Sequence, residues 1–457
     1  MNMETLESEL RRKLLGKLIS RSDRSYEEAR QLYNGMIDKR PKYIVQCENV
    51  SDIKYALGFA YEQKLLLAVR SGGHNGPGLA SCNEGLVIDL SMMKGIRVDP
   101  ITQTVRVESG CTQGELDHGT ASFGLAVPCG IVGLTGIAGL TLGGGHGYLT
   151  RQFGLTIDNL LEADVVLANG ELITVSSSQN EDLFWAIRGG GGNFGIVTSF
   201  LFQAHPVKDV YAGPMFWDLS HAKEVLQYYR ALQNDAPEQL CCFAGLKSVP
   251  SRDPFPKEHW GRKVCVLIAC YNGNQKEGES LFNKIRHDLP YRLIDWASNM
   301  PFIELQGMFD DLLPTGMQWY WKGDFVDELT DQAIDIHIKN AKKSTHELSL
   351  MHLYPIDGAV HQVGRKETAW DCRDAIWSMV IAGVDPDPKQ ADVITEWAKQ
   401  YWEEIHPYNR SGAYINFMME EGQERIKSSY GENYDRLLAI KKKYDPENFF
   451  RVNQNIA

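Results

Sequence analysis

The segment Arg70-Ser71-Gly72-Gly73-His74-Asn75 places a histidine inside a glycine-rich loop. Glycines let backbone N–H groups approach an anion closely, and successive N–H groups in such a turn make an anion-binding nest. An imidazole held there is positioned to act on, or bond to, whatever the loop holds. Two more glycine clusters follow, within residues 124–147 and 188–195. Tyr414 and Asn416 stand two positions apart near the C-terminus. On a strand, that spacing turns both side chains to one side. A tyrosine beside an amide can take a proton and hold a substrate hydroxyl, but with a pKa of about 10 it is a poor base unless its anion is stabilised. Lys322 is a cation that could supply that stabilisation.

Each feature also has a plainer reading. The glycine clusters could be tight turns alone, His74 a loop histidine bonded to backbone, and Tyr414 a core aromatic. A Rossmann site fits poorly: Gly143-Gly144-Gly145-His146-Gly147 is not G-x-G-x-x-G, and there is no clear strand–loop–helix unit with an acidic residue about 20 positions on. No cluster leads into Lys-Ser or Lys-Thr, so a Walker loop is absent. A large nucleotide held by several loops of one lobe fits better. No metal site is expected, and His146 has no spacing that points to a metal or a catalytic partner.

At 457 residues the chain is long enough for two or three lobes. A net charge of −12 argues against nucleic acid and against an anionic membrane surface as partners. No run approaches the roughly 20 apolar residues of a membrane helix. The N-terminus lacks the apolar core of a secretory signal, and the nine cysteines include no CxxC pair. These features predict a cytoplasmic protein with reduced thiols.

The elements that must position these residues can be read from periodicity. Ser25 with Glu28 has a capping-box pattern, and Ala29, Leu32, Tyr33 and Met36 then form an apolar stripe at helical spacing. Ser51 reads as the start of a second helix, which leads to a buried strand over 65–69 and then the His74 loop. Strands are expected over 85–90, 104–108 and 196–203, with a hairpin about Asn169-Gly170. Residues 207–405 change texture and mix helical and strand-like runs rich in aromatic residues. Within them Trp319, Tyr320, Trp321, Tyr354 and Trp377 are either a stacking surface or packing. Residues 406–457 read as a mostly polar tail.

Beyond these readings, the chain resembles the FAD-linked oxidases of the berberine-bridge-enzyme-like type, in the wider vanillyl-alcohol-oxidase superfamily. The resemblance rests on residues 70–75 and 135–145, on Asp158-Asn159-Leu160, Phe184-Trp185-Ala186 and residues 188–198, and closes with residues 414–417 and 453–456. It implies an α+β fold: a two-part FAD-binding domain of the PCMH type, over 1–206 and 406–457, with an inserted substrate domain of antiparallel sheet plus helices over 207–405. It implies that His74 bonds through a ring nitrogen to the flavin 8α-methyl. Arg70, Ser71, Gly72, Gly73 and Asn75, with Thr135, Gly136, Ala138, Gly139, Leu140 and Gly143, would cradle the pyrophosphate. Gly195, Ile196 and Val197 would face the adenine end, and Asn453 would approach from the tail. Some relatives carry a second tether through cysteine; its place falls on Val132 here, leaving Cys129 as a second bond only if that loop is remodelled. Tyr414 would be the general base and Asn416 its positioning partner. The implied activity is oxidation of a small molecule (alcohol, sugar, amine or secondary metabolite), with O2 reoxidising the flavin to give H2O2. A dehydrogenase with another acceptor and a non-catalytic flavin protein are the alternatives.

Overall fold

A computed structural model describes residues 3–344 and 346–457. Helices and sheets are mixed, as expected for the α+β class. Around the His74 loop lies a four-stranded sheet ordered Lys17–Ser20, Tyr43–Gln46, Leu86–Asp89, Leu67–Arg70. Its last three strands are parallel. The crossover between Tyr43–Gln46 and Leu67–Arg70 is the helix Val50–Glu62. That helix is capped by Asn49, whose side chain accepts from the Asp52 N–H, rather than by Ser51.

The next sheet has five antiparallel strands in the order Ile96–Asp99, Thr104–Glu108, Ile196–Gln203, Leu160–Val166, Leu172–Ser176. The hairpin at Asn169-Gly170 joins its last two strands. The N-terminal expectation needs correcting. The helix after Ser25 spans only Tyr26–Ala29, and the Ser25 side chain makes no cap. The stripe beyond it is irregular chain, and Leu32 and Tyr33 are buried there without helical periodicity.

The largest sheet is antiparallel, with eight strands drawn from residues 209–385. Successive side chains alternate between its faces. Met351, Leu353, Met379 and Ile381 pack with Val225, Phe282, Ile334 and Tyr401 from the helices behind. Leu350, Tyr354, Val380 and Ala382 face the other way, into a second cluster with Trp319 and Trp321. The aromatic set named from sequence is therefore split: Tyr320 and Trp377 belong to the helix side.

The C-terminal stretch is more than a polar tail. It forms the helices Gln423–Tyr430 and Tyr434–Tyr444. Their Ile426, Tyr430, Leu437 and Ile440 share a core with Val105, Val165, Phe184 and Phe200. Strand Gln318–Val326 is tied to the same stretch by ionic contacts. Asp324, fully buried, meets Arg425 at 2.5 Å and His406 at 2.9 Å. Among the described residues, no helix is long and apolar enough to cross a membrane.

Candidate active site

A cavity with about 2030 Å³ of atom-free space, part of it open to solvent, lies between the glycine-rich loops and the outward face of the large sheet. Ser71, Gly72, Gly73, His74 and Asn75 line it where strand Leu67–Arg70 ends. Val132, Thr135, Gly136, Ala138, Gly139 and Leu140 line it from the second cluster. Gly195, Ile196, Val197 and Asn453 line a further part, and Tyr414 and Asn416 complete the set. On the sheet side stand Trp319, Trp321, His352 and Tyr354.

The two loops are packed backbone to backbone. A Cβ on Gly72 would come within 2.5 Å of the Gly136 nitrogen, and one on Gly136 within 2.3 Å of the Gly72 nitrogen. Only paired glycines allow that approach. Among the described residues, the backbone N–H groups of Gly72, Gly73, His74 and Asn75 have no acceptor within the chain. Successive free N–H groups in a glycine-rich turn are donors of the kind that bind anions. The His74 ring stacks on Tyr33, with centroids 3.7 Å apart. Its Nε2 is shielded and unpartnered. Burial pulls its pKa down to about 4, so the imidazole is neutral at pH 7 with a free ring nitrogen.

Two residues expected at the cofactor lie elsewhere. Arg70 turns away from the cavity and pairs with Asp89 on the neighbouring parallel strand at 2.7 Å, both side chains buried. Its charge is consumed there. Gly143 does not line the cavity either. The glycine triplet is a seat for Asn416 and Trp370 from the C-terminal half and for nearby Thr156. A Cβ on Gly143 would lie 2.4 Å from Asn416 Nδ2, one on Gly144 would lie 2.4 Å from the Trp370 ring, and one on Gly145 would lie 2.1 Å from Thr156 Oγ1. Gly145 also has φ +76°. Its N–H donates to Tyr414 Oη at 3.1 Å.

Tyr414 and Asn416 are not on a strand. Tyr414 directly precedes the short 3₁₀ turn Ile415–Phe417, which contains Asn416. They still meet, because Asn416 Nδ2 donates to Tyr414 Oη at 2.8 Å and to Gly139 O at 3.1 Å. Burial pushes the Tyr414 hydroxyl up to about 12, while the two N–H donors at its oxygen oppose that rise. Lys322 is not its cation. It pairs with Glu421 at 2.5 Å and lies over the Trp402 ring. The groups that stabilise a Tyr414 anion are therefore an amide and a backbone N–H.

Cys129 is buried, and that burial, with a smaller contribution from Asp117, pushes its thiol pKa up. It does not line the cavity, whereas Val132 does. The loop is thus not remodelled in a way that brings the cysteine forward. Among the described residues, no group of three or more His, Cys, Asp or Glu could hold a metal.

Sequence reasoning missed two residues. His146, 6% exposed, lines the cavity with its ring centroid 4.7 Å from that of Tyr414. Its only sequence signal was its place after the glycine triplet. Lys441 is buried and pairs with Asp445 at 2.7 Å. It also donates to Asn193 O and Phe450 O, which pins the third glycine cluster to the chain next to Asn453. Its (i, i+4) spacing to Asp445 was readable as a helix ion pair.

Comparison with known proteins agrees with this geometry. The sequence profile of the FAD binding domain matches residues 41–176, and that described as berberine and berberine like matches residues 413–457. An FAD-linked oxidoreductase of Dictyostelium discoideum is 33% identical over 439 residues, 95% of this chain and 93% of that protein. The (R)-6-hydroxynicotine oxidase of Paenarthrobacter nicotinovorans is 36% identical over 461 residues, covering 96% of each. The crystal structure of 6-hydroxy-D-nicotine oxidase from Arthrobacter nicotinovorans superposes with a TM-score of 0.87 at 26% identity, over 97% of this chain and 98% of that one. The fold is that of the PCMH-type FAD-binding oxidoreductases. The residues present fit FAD: the free backbone N–H groups of residues 72–75 suit a pyrophosphate, and the paired glycines Gly72 and Gly136 keep the loops beside them clear of side chains. The chain belongs to the berberine-like family of FAD-linked oxidoreductases and is an FAD-dependent enzyme.

Proposed function

We propose that this enzyme is an oxidase that holds FAD covalently at His74, takes a hydride from a small organic substrate, and uses O2 as the acceptor. The observation that carries the reading is that His74, whose Nε2 has no partner, and Tyr414 line one cavity. Residues 1–206 and 406–457 form the FAD-binding part and residues 207–405 the substrate-binding part. The core shared by the C-terminal helices with the first half supports that division.

The free N–H groups of residues 72–75 and the loop carrying Thr135, Gly136, Ala138, Gly139 and Leu140 hold the pyrophosphate, with Ser71 beside them. Gly195, Ile196, Val197 and Asn453 hold the remainder of the dinucleotide. When bound, FAD would supply the hydride acceptor, with O2 as the final oxidant and hydrogen peroxide as its product. The protein's own part is proton chemistry. Tyr414 takes the proton from the substrate hydroxyl or amine at Oη. Asn416 Nδ2 and the Gly145 N–H steady the resulting oxygen charge. The stacked wall of Tyr33 and Trp319 keeps the tether residue His74 in place. Val132 stands where a second tether would need a thiol, so His74 is the sole attachment.

The test is anaerobic mixing of the yellow holoenzyme with a panel of alcohols, phenols, amines and sugars. Bleaching of the flavin band by a panel member, followed by rapid recovery and stoichiometric peroxide on admitting air, is the expected result. Bleaching with slow recovery in air would make the enzyme a dehydrogenase instead.

A further inference from the structure

The sheet side of the cavity carries polar atoms that the chain does not use. Both ring nitrogens of His146 are buried without a partner. The indole N–H of Trp319 is in the same state, whereas Nε2 of His352 and Nε1 of Trp321 are packed against Gly245 and Gly76. All of these side chains line the cavity. Buried polar groups are almost always paired, and each one left unpaired costs about 1–3 kcal/mol. The orphans of His146 and Trp319, two side chains of this wall, point to a ligand that pairs with them. The orphans on the loop side, His74 Nε2 and Asn453 Oδ1, are assigned to FAD above; those on the sheet side are left for the substrate.

Charge narrows the choice. Among the described residues, no Asp, Glu, Lys or Arg lines the cavity. Burial pulls the pKa values of His146 and His352 down to about 3, so neither is a cation at neutral pH. A buried carboxylate or ammonium would find no counter-ion here, a heavy penalty for an ionised group. Shape narrows it further. Leu350, Val380 and Ala382 interleave the two tryptophans on this wall. A pyranose, with a hydroxyl on nearly every carbon, would leave several of them against those apolar side chains. A flat ring would bury its faces and need only one or two polar contacts.

Resting on the oxidase reading, we infer that the substrate is a small uncharged aromatic or heteroaromatic molecule bearing a hydrogen-bonding substituent, and that His146 binds that substituent beside Tyr414. His146 is close to the reacting end of the site: its ring centroid lies 4.7 Å from Tyr414, 5.2 Å from Tyr354 and 5.5 Å from Phe417. A neutral imidazole offers one donor and one acceptor, so it can pair with a hydroxyl in either sense. His352 is held on the sheet, with the Tyr354 hydroxyl 3.0 Å from its Nδ1 and its Nε2 edge against Gly245, which leaves His146 as the imidazole beside Tyr414.

The experiment is a titration of the flavin absorbance of the holoenzyme at pH 7 with phenol, benzyl alcohol, benzoate, benzylammonium and D-glucose. Phenol or benzyl alcohol should bind about tenfold or more tightly than the two ions and the sugar. His146→Leu should weaken that binding about tenfold with the flavin spectrum unchanged, and His146→Gln, which keeps a donor and an acceptor, should recover part of it. Equal or tighter binding of an ion or of glucose would overturn the inference. So would a failure of both neutral rings to perturb the flavin, or unchanged binding in His146→Leu. Should the Leu variant lose its flavin, the wild-type ranking and the Gln variant still decide. Protein purified without any FAD would instead remove the oxidase reading on which the inference rests.

Discussion

The backbone N–H of Gly145 donates to the hydroxyl oxygen of Tyr414 at 3.1 Å, across 269 positions of sequence. That bond, with the one from Asn416, turns the glycine triplet from a presumed phosphate cradle into the seat of the proposed base. Gly143 is covered by Asn416 and Gly144 by the Trp370 ring. The triplet is small because Asn416 and Trp370 from the C-terminal half press onto its first two members and Thr156 onto the third.

Gly143→Ala tests that seat. The added methyl would sit 2.4 Å from Asn416 Nδ2 and must displace it. Misplacing a positioning group by an ångström costs on the order of 100-fold in rate. The expected outcome is flavin reduction slowed by about that factor with FAD still bound, read by stopped-flow absorbance. Loss of FAD with an unaltered rate in the remaining holoenzyme would mark Gly143 as a cofactor contact instead.

Tyr414 should make the reaction alkaline-dependent. Its hydroxyl is pushed up to about 12 by burial, so below that pH the phenolate is the minor form. A base that works deprotonated gains about tenfold in active fraction for each pH unit below its pKa. Flavin reduction should therefore accelerate steadily between pH 7 and 10. Tyr414→Phe should flatten the profile and slow the step by about 10²–10⁴-fold. A pH-independent wild-type rate, or a Phe variant with the wild-type rate, would remove Tyr414 from the role.

Asp324 holds the C-terminal stretch against the large sheet through Arg425 and His406. Asp324→Ala leaves the Arg425 charge buried with weakened compensation. Breaking such a pair costs about 3–5 kcal/mol. The midpoint of urea unfolding should fall accordingly, with an unchanged slope. A midpoint within error of the wild type would mean that the ion pair is not needed to hold this junction.

Asp117 should govern part of the pH dependence of stability. Burial raises its pKa to about 7, above the ordinary carboxylate value. Its Oδ1 has no partner, while Oδ2 accepts from Gln306 at 2.9 Å. In this window the folded state binds the proton more tightly than the unfolded state, so this contribution to stability falls as pH rises from about 4 to 7 and levels off above. Asp117→Asn removes the buried charge and keeps the acceptor for Gln306. It should flatten that window and gain about 1–3 kcal/mol at pH 8. Thermal unfolding across pH checks it; an unchanged pH profile would show that Asp117 does not titrate there.

Much of the scaffold was legible in the chain because local pattern and tertiary demand agree there. The hairpin at Asn169-Gly170 and the strand Ile196–Gln203 are written in turn chemistry and apolar runs. Other features depend on partners far away in sequence. Asn49 caps the helix that Ser51 seemed to start, because its extended backbone lets the side chain reach the Asp52 N–H. Tyr414 and Asn416 meet through a 3₁₀ turn, since the chain must bend there to seat Asn416 on Gly143. Val132 and Cys129 were separable by position in the loop, but Arg70 was not separable from its glycine-rich neighbours until Asp89 was placed beside it. His146 carried no signal because Tyr354 and Phe417, which surround it, come from strands and turns hundreds of residues on.

The account turns on whether His74 keeps the flavin. Purified enzyme should be precipitated with acid, and pellet and supernatant examined for flavin, alongside His74→Ala. Yellow colour retained in the wild-type pellet, with the FAD mass on the peptide containing His74 and with free FAD released from the alanine variant, is the predicted result. A colourless wild-type pellet with all FAD in the supernatant would contradict the tether and, with it, the assigned purpose of the unpaired imidazole nitrogen.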